Sequence, residues 1–276
     1  MDARSIVALL FLLFIVIGAI FYVVYWPGIK LRRIERQVFP EQWLATLRRR
    51  LPFYDAFPQA QKQRFQNLIK RFLHEHRFVG CAGLEIDDEI RVTVAAQACL
   101  LILNKKGYHF QKLRSILVYP STFVAVREVR DDLGLVSTKH SALLGESWDL
   151  GKVVLAWDNV EKSVCNLQDG HNVVLHEFAH QLDSESGAVN GAPILQTRGA
   201  YKSWAQVLNH EYEKLNLRNA HHYKSLLNEY GGTNPAEFFA VATETFFERP
   251  TEMANHHQEL YQELANYYQI DPSKWQ

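Results

Sequence analysis

The sequence has few cysteines and no excess of charge of either sign. Its three cysteines, Cys81, Cys99 and Cys165, are odd in number and lack metal-ligand spacing. This usage excludes a disulfide framework and is typical of reduced thiols in the core of an intracellular protein. Thirty basic side chains balance thirty acidic ones, so the composition gives no electrostatic support for a nucleic-acid partner, and we expect none.

Charged residues are also absent from Ser5 to Ile29. As a helix rising about 1.5 Å per residue, this stretch is longer than the roughly 30 Å hydrocarbon core of a bilayer. A secretory signal has a shorter apolar region and a small-residue cleavage site, whereas this stretch ends in Tyr22, Tyr25 and Trp26, as at a membrane interface. The sequence therefore predicts an uncleaved, single-pass anchor. A buried core helix is the alternative.

The residues that flank the apolar stretch predict its orientation. Lys30, Arg32, Arg33 and Arg36 follow it, against Arg4 and the amino terminus before it. Because positively charged flanks stay on the cytoplasmic side, we expect the bulk of the chain to lie in the cytoplasm, tethered to the inner (plasma) membrane of a bacterium.

The rest of the sequence lacks Gly/Ser-rich linkers, repeats and low-complexity runs. We therefore predict three parts: a transmembrane anchor over 1–29, a basic juxtamembrane segment over 30–38 and one domain over 39–276. A domain of that length buries a substantial core of its own.

Within the domain, hydrophobic patterns predict six helices and two strands. The helices cover 42–50, 58–76, 92–104, 169–184, 194–215 and 235–248, and the strands cover 115–126 and 152–157. This order lacks strict strand–helix alternation, which favours an α+β fold, mostly helical with a small sheet. The strand over 152–157 is either an edge strand that pairs with an extended peptide or a central strand of the core.

The segment "VVLHEFAHQLD", residues 173–183, predicts a metal-binding helix that Asp169 caps. His176 and His180 lie four residues apart, so their imidazoles leave the same face of a helix one turn apart and can meet one zinc ion. Glu177 lies about 100° around the helix, where it can take a proton from a water bound to the metal.

A catalytic zinc site needs a third protein ligand, and the spacing leaves several candidates. The metzincin pattern fails because Asp183 and Ser186 stand where it requires glycine and a histidine or aspartate. Asp183 itself, Glu237 and Glu244 remain. Glu237 also fits a capping box with Asn234, in which it would only satisfy a backbone N–H. Asp183 fits a supporting role, with a hydrogen bond to a ligand histidine.

Several segments, in the same order, resemble the MtfA-like zinc peptidases, a family named for Mlc titration factor A. They are "LLGESWDLGKVVLAWDNV", "VVLHEFAHQLD", "GAP" and "NPAEFFAVATETFFERP". The resemblance runs from about Phe39 to Asp271. The family consists of glutamate-zincins with a catalytic core similar to that of anthrax lethal factor, which implies one zincin-like metallopeptidase domain. Its named member is a soluble cytoplasmic protein that is implied to bind the glucose repressor Mlc, whereas this sequence begins with an apolar stretch.

Carried onto matching positions, the resemblance implies that His176, His180 and Glu237 bind one zinc ion and that Glu177 is the general base. Glu244 would then support a ligand or pack between helices rather than bind the metal.

The resemblance also places Tyr230 where lethal-factor-like enzymes carry a tyrosine that stabilises the oxyanion. A phenol there can donate a hydrogen bond to the tetrahedral oxygen, and a tyrosine packed at a loop corner is the alternative. In the "GESW" segment, Glu146 and Trp148 either approach the site or pack in the core.

Together these observations predict a membrane-tethered, zinc-dependent peptidase that hydrolyses peptide bonds of a peptide or protein substrate with a zinc-activated water. Aminopeptidase and endopeptidase action both stay open. The alternative is a membrane-anchored regulatory module with little or no catalysis, which binds a cytoplasmic protein such as a transcriptional repressor. A tethered protease for quality control of membrane proteins is a third reading.

Overall fold

The structure is a computed structural model that describes residues 2–107, 109–121, 124–130, 136–142 and 151–275. The chain divides into two compact units, Met1–Pro40 and Glu41–Gln276. Glu146 and Trp148 lie outside the described residues.

The first unit is a long helix. It consists of α1 (Ala3–Ile20), a π-helical turn (Phe21–Tyr25) and α2 (Trp26–Glu35). An 18-residue window within the span Arg4–Glu35 has a mean hydropathy of 3.1, and among the described residues this span is the one helix long and apolar enough to cross a membrane.

The second unit is mostly helical. Its described helices are α3 (Glu41–Arg50), α4 (Gln59–Glu75), α5 (Asp88–Leu100), α6 (Trp157–Cys165), α7 (Val173–Ser184), α8 (Arg198–Ala220), α9 (Pro235–Glu248), α10 (Pro250–His256) and α11 (Gln258–Tyr268). Its described strands are β1 (Arg77–Gly80), β2 (Ser115–Tyr119), β3 (Val124–Arg130), β4 (Val136–Ala142) and β5 (Lys152–Ala156).

The strands form two small sheets. β1, β2 and β5 make a parallel sheet in that order, while β3 and β4 form a separate antiparallel pair. In the part of the chain that the structure describes, β5 is at one end of its sheet and pairs with β2. The predicted α+β class, mostly helical with a small sheet, is confirmed, and the pairing of β5 with a peptide stays a prediction.

Four predicted elements are wrong at their boundaries. The helices over 169–184 and 194–215 are α7 and α8, which begin later, at Val173 and Arg198, because the side chains of Asn172 and Thr197 cap them. The strand over 115–126 is two strands, because Pro120 follows β2 and has no N–H for a ladder hydrogen bond. The helix over 92–104 is α5, which begins earlier because Asp87 accepts a hydrogen bond from the backbone N of Ile90 at 2.8 Å. The apolar run continues beyond the end of α5 through Leu101 and Leu103, which are buried in a turn.

Helix α9 positions the site because it is buried along its length. Every residue from Ala236 to Glu248 is buried, and α7 lies against α9. Three of these residues are glutamates, Glu237, Glu244 and Glu248, and their spacing of seven and four residues places them on one face of the helix. Buried carboxylates need hydrogen-bond partners. Helix α7 and the segment before it supply them.

Candidate metal centre

Helix α7 presents two histidines from one face. Asn172 caps the helix, accepting a hydrogen bond from the backbone N of Leu175 at 3.0 Å. The prediction that Asp169 caps it is wrong, because Asp169 instead accepts a hydrogen bond from the backbone N of His171. The Nε2 atoms of His176 and His180 lie 3.2 Å apart, so one ion can contact both imidazoles.

Helix α9 brings a carboxylate to these imidazoles. Asn234 caps α9 by accepting hydrogen bonds from the backbone N of Ala236 and of Glu237, each at 3.0 Å. The Glu237 side chain extends toward α7, where its Oε2 lies 3.0 Å from His176 Nε2 and 3.4 Å from His180 Nε2. Asn234 therefore performs its half of the capping box, while Glu237 contacts both predicted ligands.

The three side chains form a donor set that fits a metal ion. One donor atom from each of His176, His180 and Glu237 lies within 4.8 Å of the others. His180 and Glu237 are buried, and His176 is nearly so. Two imidazole nitrogens and one carboxylate oxygen are the donors of a catalytic zinc site.

The carboxylates in the cluster stabilise positive charge beside them. Burial disfavours the charged form of His176, but its hydrogen bonds to Glu237 and Glu244 outweigh burial and raise its pKa to about 10. Burial likewise opposes ionisation of Glu237, yet the two histidines hold its pKa down at about 2. Burial lowers the pKa of His180. His176 is therefore favoured as an imidazolium, and the carboxylates that stabilise its charge would also stabilise a cation that replaces the added proton.

Glu244 fixes the orientation of His176 from the side away from Glu237. Its Oε1 lies 2.7 Å from His176 Nδ1, and its Oε2 accepts a hydrogen bond from the backbone N of Asn172 at 2.6 Å. A carboxylate on Nδ1 leaves Nε2 available as the metal-binding nitrogen.

A cleft of about 630 Å³ reaches this cluster at His176. Glu177 and Tyr230 both line it, together with His176 and Glu244. Glu177 is buried, with 2% of its surface exposed, whereas Tyr230 is 51% exposed and its ring centroid lies 6.1 Å from that of His176. The remaining wall comes from α6, α7 with the segment before it, and α9 with the turn before it: Asn159, Lys162, Ser163, Asp169, His171, Asn172, Val173, Asn228 and Val241.

Comparison with known proteins decides the family. The glucose-regulated metallo-peptidase M90 family matches residues 27–269. The chain belongs to this family. The uncharacterized protein slr2042 of Synechocystis sp. is 38% identical over 262 residues, which are 94% of this chain and 95% of the relative.

Mlc titration factor A of Cronobacter sakazakii is 30% identical over 236 residues, 84% of this chain and 87% of the relative. Mlc titration factor A of Yersinia pestis is 29% identical over 239 residues, 84% and 85% of the two chains. The resemblance to MtfA-like peptidases is thereby confirmed. Membership of the M90 family implies a metallopeptidase with a metal ion, and among the described residues His176, His180 and Glu237 are the one group of at least three side chains close enough to hold it.

Asp183 does not belong to the group formed by His176, His180 and Glu237. Its Oδ2 accepts a hydrogen bond from the backbone N of Gly191 at 2.7 Å. Burial raises its pKa to about 6 against several opposing backbone hydrogen bonds. The structure thus connects Asp183 to the "GAP" loop, and its support of a ligand histidine stays a prediction.

Sequence reasoning missed two residues beside the site, Asn172 and Glu248. Asn172 is a second candidate for the N-cap, three residues after Asp169. The structure identifies Asn172 as the cap because its side chain accepts the hydrogen bond from the backbone N of Leu175. Glu248 completes the acidic face of α9, a spacing that is visible in the sequence once Glu237 and Glu244 are compared with it.

Proposed function

We propose that this M90 metallopeptidase is a zinc-dependent peptidase with His176, His180 and Glu237 as the metal ligands. The observation that carries the proposal is the convergence of these three donors within 4.8 Å at the side of a cleft, with Glu177 lining the same cleft. Zinc bound there would lower the pKa of a water molecule and polarise the scissile carbonyl.

Glu177 acts as the general base. Its carboxylate accepts a proton from the attacking water and then passes this proton to the leaving amine nitrogen as the C–N bond breaks. Its position directly after His176, about 100° around α7, places it beside the metal-binding face rather than on it, and its burial strengthens a hydrogen bond to the attacking water.

Tyr230 and Glu244, which both lie beside His176, assist the reaction. The exposed phenol of Tyr230 donates a hydrogen bond to the oxygen that becomes negative in the transition state. Glu244 holds His176 in the orientation that directs Nε2 toward Glu237.

The helix Arg4–Glu35 tethers the peptidase to a membrane in this proposal. Its length and apolar composition support a span, and the basic residues that follow its uncharged stretch, Lys30, Arg32, Arg33 and Arg36, support a cytoplasmic domain. A secretory signal can also be a helix of this length and composition. The mass of the mature chain in a membrane fraction distinguishes a retained anchor from a cleaved signal. The anchor predicts a chain that retains its N-terminus.

The metal site is tested with the full chain, purified in detergent, by elemental analysis of bound metals. We expect one zinc per chain in the wild type and in Glu244→Ala, and little or none in Glu237→Ala. Equal zinc in all three proteins would contradict the assignment of Glu237.

Catalysis is tested with the full chain, purified in the same way, on a peptide library whose products are identified by mass spectrometry. Glu177→Gln should bind zinc normally but hydrolyse no peptide that the wild type cleaves.

A regulatory module is the second candidate function, and the name of two relatives favours it. Proteins called Mlc titration factor A are about 30% identical to this chain, which supports binding of a transcriptional repressor by the same domain. Binding of such a repressor that survives both Glu177→Gln and removal of zinc by a chelator would favour this function over catalysis.

A further inference from the structure

Glu248 makes two hydrogen bonds to the segment that begins the metal-binding helix. It is 4% exposed and follows Glu244 by one helical turn on α9. Its Oε2 accepts a hydrogen bond from the backbone N of Gly170 at 3.0 Å, and its Oε1 accepts one from Asn172 Nδ2 at 2.9 Å. Both carboxylate oxygens are therefore bonded to residues 170–172, which precede α7.

The side chain of Asn172 has one orientation that satisfies its neighbours. Its Oδ1 accepts a hydrogen bond from the backbone N of Leu175, and its Nδ2 donates to Glu248. Exchanging the two amide atoms would place a donor against the Leu175 N–H and an acceptor against Glu248. The backbone N of Asn172 donates to Glu244, which also contacts His176. The start of α7 is thus held by two neighbouring glutamates of α9.

We propose that Glu248 is a positioning residue for the metal centre, which fixes the start of α7 through Gly170 and Asn172 and thereby sets the direction of His176. This inference rests on the zinc site proposed above. Glu248 itself does not belong to the three-donor group, so it acts through Asn172.

The same two hydrogen bonds shape the wall of the cleft. His171 lies between Gly170 and Asn172 and lines the cleft. Asn228, which also lines the cleft, contacts this residue: its Nδ2 lies 3.2 Å from His171 Nε2. Because Glu248 bonds to the residues on both sides of His171, it fixes the position of this part of the cleft wall relative to the start of α7.

A role in packing alone accounts poorly for a carboxylate at this position. Burial, with the nearby charges of Asp169 and Glu244, raises the pKa of Glu248 to about 8, so its ionisation is opposed. An apolar side chain would avoid that cost. What the carboxylate adds is a pair of acceptors for two donors on one segment, which suits a role in orientation.

An exchange of hydrogen-bonding roles tests the inference. Glu248→Gln leaves one acceptor oxygen for two donors, so its new amide opposes one of them. Asn172→Asp retains the oxygen that accepts from Leu175 but directs a second oxygen at Glu248. With both substitutions, the new amide donates to the new carboxylate, and the N–H groups of Gly170 and Leu175 keep their acceptors.

The measurement is zinc affinity of the full chain in detergent, by competition with a chromophoric chelator at pH 9, where Glu248 is ionised. We expect each single variant to bind zinc about tenfold more weakly, the lower end of the 10–100-fold effect of groups behind metal ligands. The double variant should return to within about threefold of the wild type, since contacting residues are not additive. Single variants that match the wild type, or a double variant weaker than either, would overturn the inference.

Glu211→Gln is the matched control. Glu211 is also a buried glutamate, its Oε2 lies 2.6 Å from Nδ1 of His257, and neither residue belongs to the three-donor group or lines the cleft. This substitution should lower the thermal unfolding midpoint but leave zinc affinity unchanged. Should Asn172→Asp fail to fold, Glu248→Gln against Glu211→Gln decides: equal zinc affinity in these two variants overturns the inference. A wild type that binds no zinc would overturn the zinc site itself, and the inference with it.

Discussion

His176 lies between two carboxylates of the same helix: its Nε2 is 3.0 Å from Glu237 Oε2, and its Nδ1 is 2.7 Å from Glu244 Oε1. Glu237 lies on the Nε2 side of the imidazole, where His180 also approaches. Glu244 occupies the Nδ1 side. This division separates a group that binds the metal from a group that orients a ligand, although both glutamates lie on one face of α9.

The first prediction follows from that division. Glu244→Gln leaves one acceptor for two donors, His176 Nδ1–H and the backbone N–H of Asn172, so the imidazole loses part of its orientation. We expect zinc affinity to fall about tenfold, while Glu237→Gln lowers it far more. Chelator competition measures both. A Glu244→Gln protein that binds zinc as weakly as Glu237→Gln would make Glu244 a ligand.

A second prediction concerns Tyr230. Tyr230→Phe removes the phenolic hydroxyl but keeps the ring beside His176, so zinc content and KM should be unchanged. The value of kcat on any cleaved peptide should fall about 100-fold, as when one oxyanion donor is removed. Tyr223→Phe, another exposed tyrosine, is the control. An unchanged kcat in Tyr230→Phe would leave this tyrosine a packing residue.

A third prediction concerns Gly191 in the "GAP" loop. Its φ is +76°, and an added Cβ would lie 2.3 Å from the carbonyl oxygen of Pro235, at the start of α9. Gly191→Ala should therefore lower the free energy of unfolding by about 3 kcal/mol. Gly187→Ala, with φ +96° but nothing within 4 Å, should cost about 1 kcal/mol from backbone strain alone. Similar losses in the two variants would exclude the contact with Pro235 as the cause.

A fourth prediction concerns the pH dependence of stability through Glu248. Its folded-state pKa of about 8 lies above the ordinary value of 4.5. Its contribution to stability is therefore fully present below about pH 4.5 and is lost as pH rises through about 8, by about 1.4 kcal/mol for each unit of difference. In metal-free protein, thermal unfolding should show the wild type losing stability relative to Glu248→Gln between pH 5 and pH 9. A constant difference over that range would mean an ordinary pKa.

A fifth prediction uses Cys165 to test orientation. Cys165 is exposed, whereas Cys99 is buried and Cys81 is partly so. If the peptidase domain is cytoplasmic, a membrane-impermeant maleimide should label Cys165 after cell lysis but not in intact cells. Cys165→Ser shows which labelling belongs to this thiol. Equal labelling before and after lysis would place the domain outside the cytoplasm.

Much of the site follows from local sequence, because a helix fixes the angles between its own residues. The four-residue spacing of His176 and His180 dictates that both leave one face of α7. Asn234 and the proline after it predict the start of α9, which the structure places at Pro235. Local sequence does not distinguish Asp169 from Asn172 as the N-cap of α7, because both side chains suit that position. In the structure Asn172 is the cap, and it also contacts Glu248, which is distant in the chain.

The sequence by itself determined the family, the α+β class, the apolar N-terminal helix and the metal-binding pattern of α7, because each depends on patterns within single segments and on the order of those segments along the chain. Tertiary structure decided which carboxylate approaches the histidines. Glu237 and His176 are 61 residues apart, and the rotation of α9 against α7 depends on the packing of many side chains at once. That packing turns Glu237 to Nε2, Glu244 to Nδ1 and Glu248 to the start of α7, although helical spacing gives all three glutamates the same face.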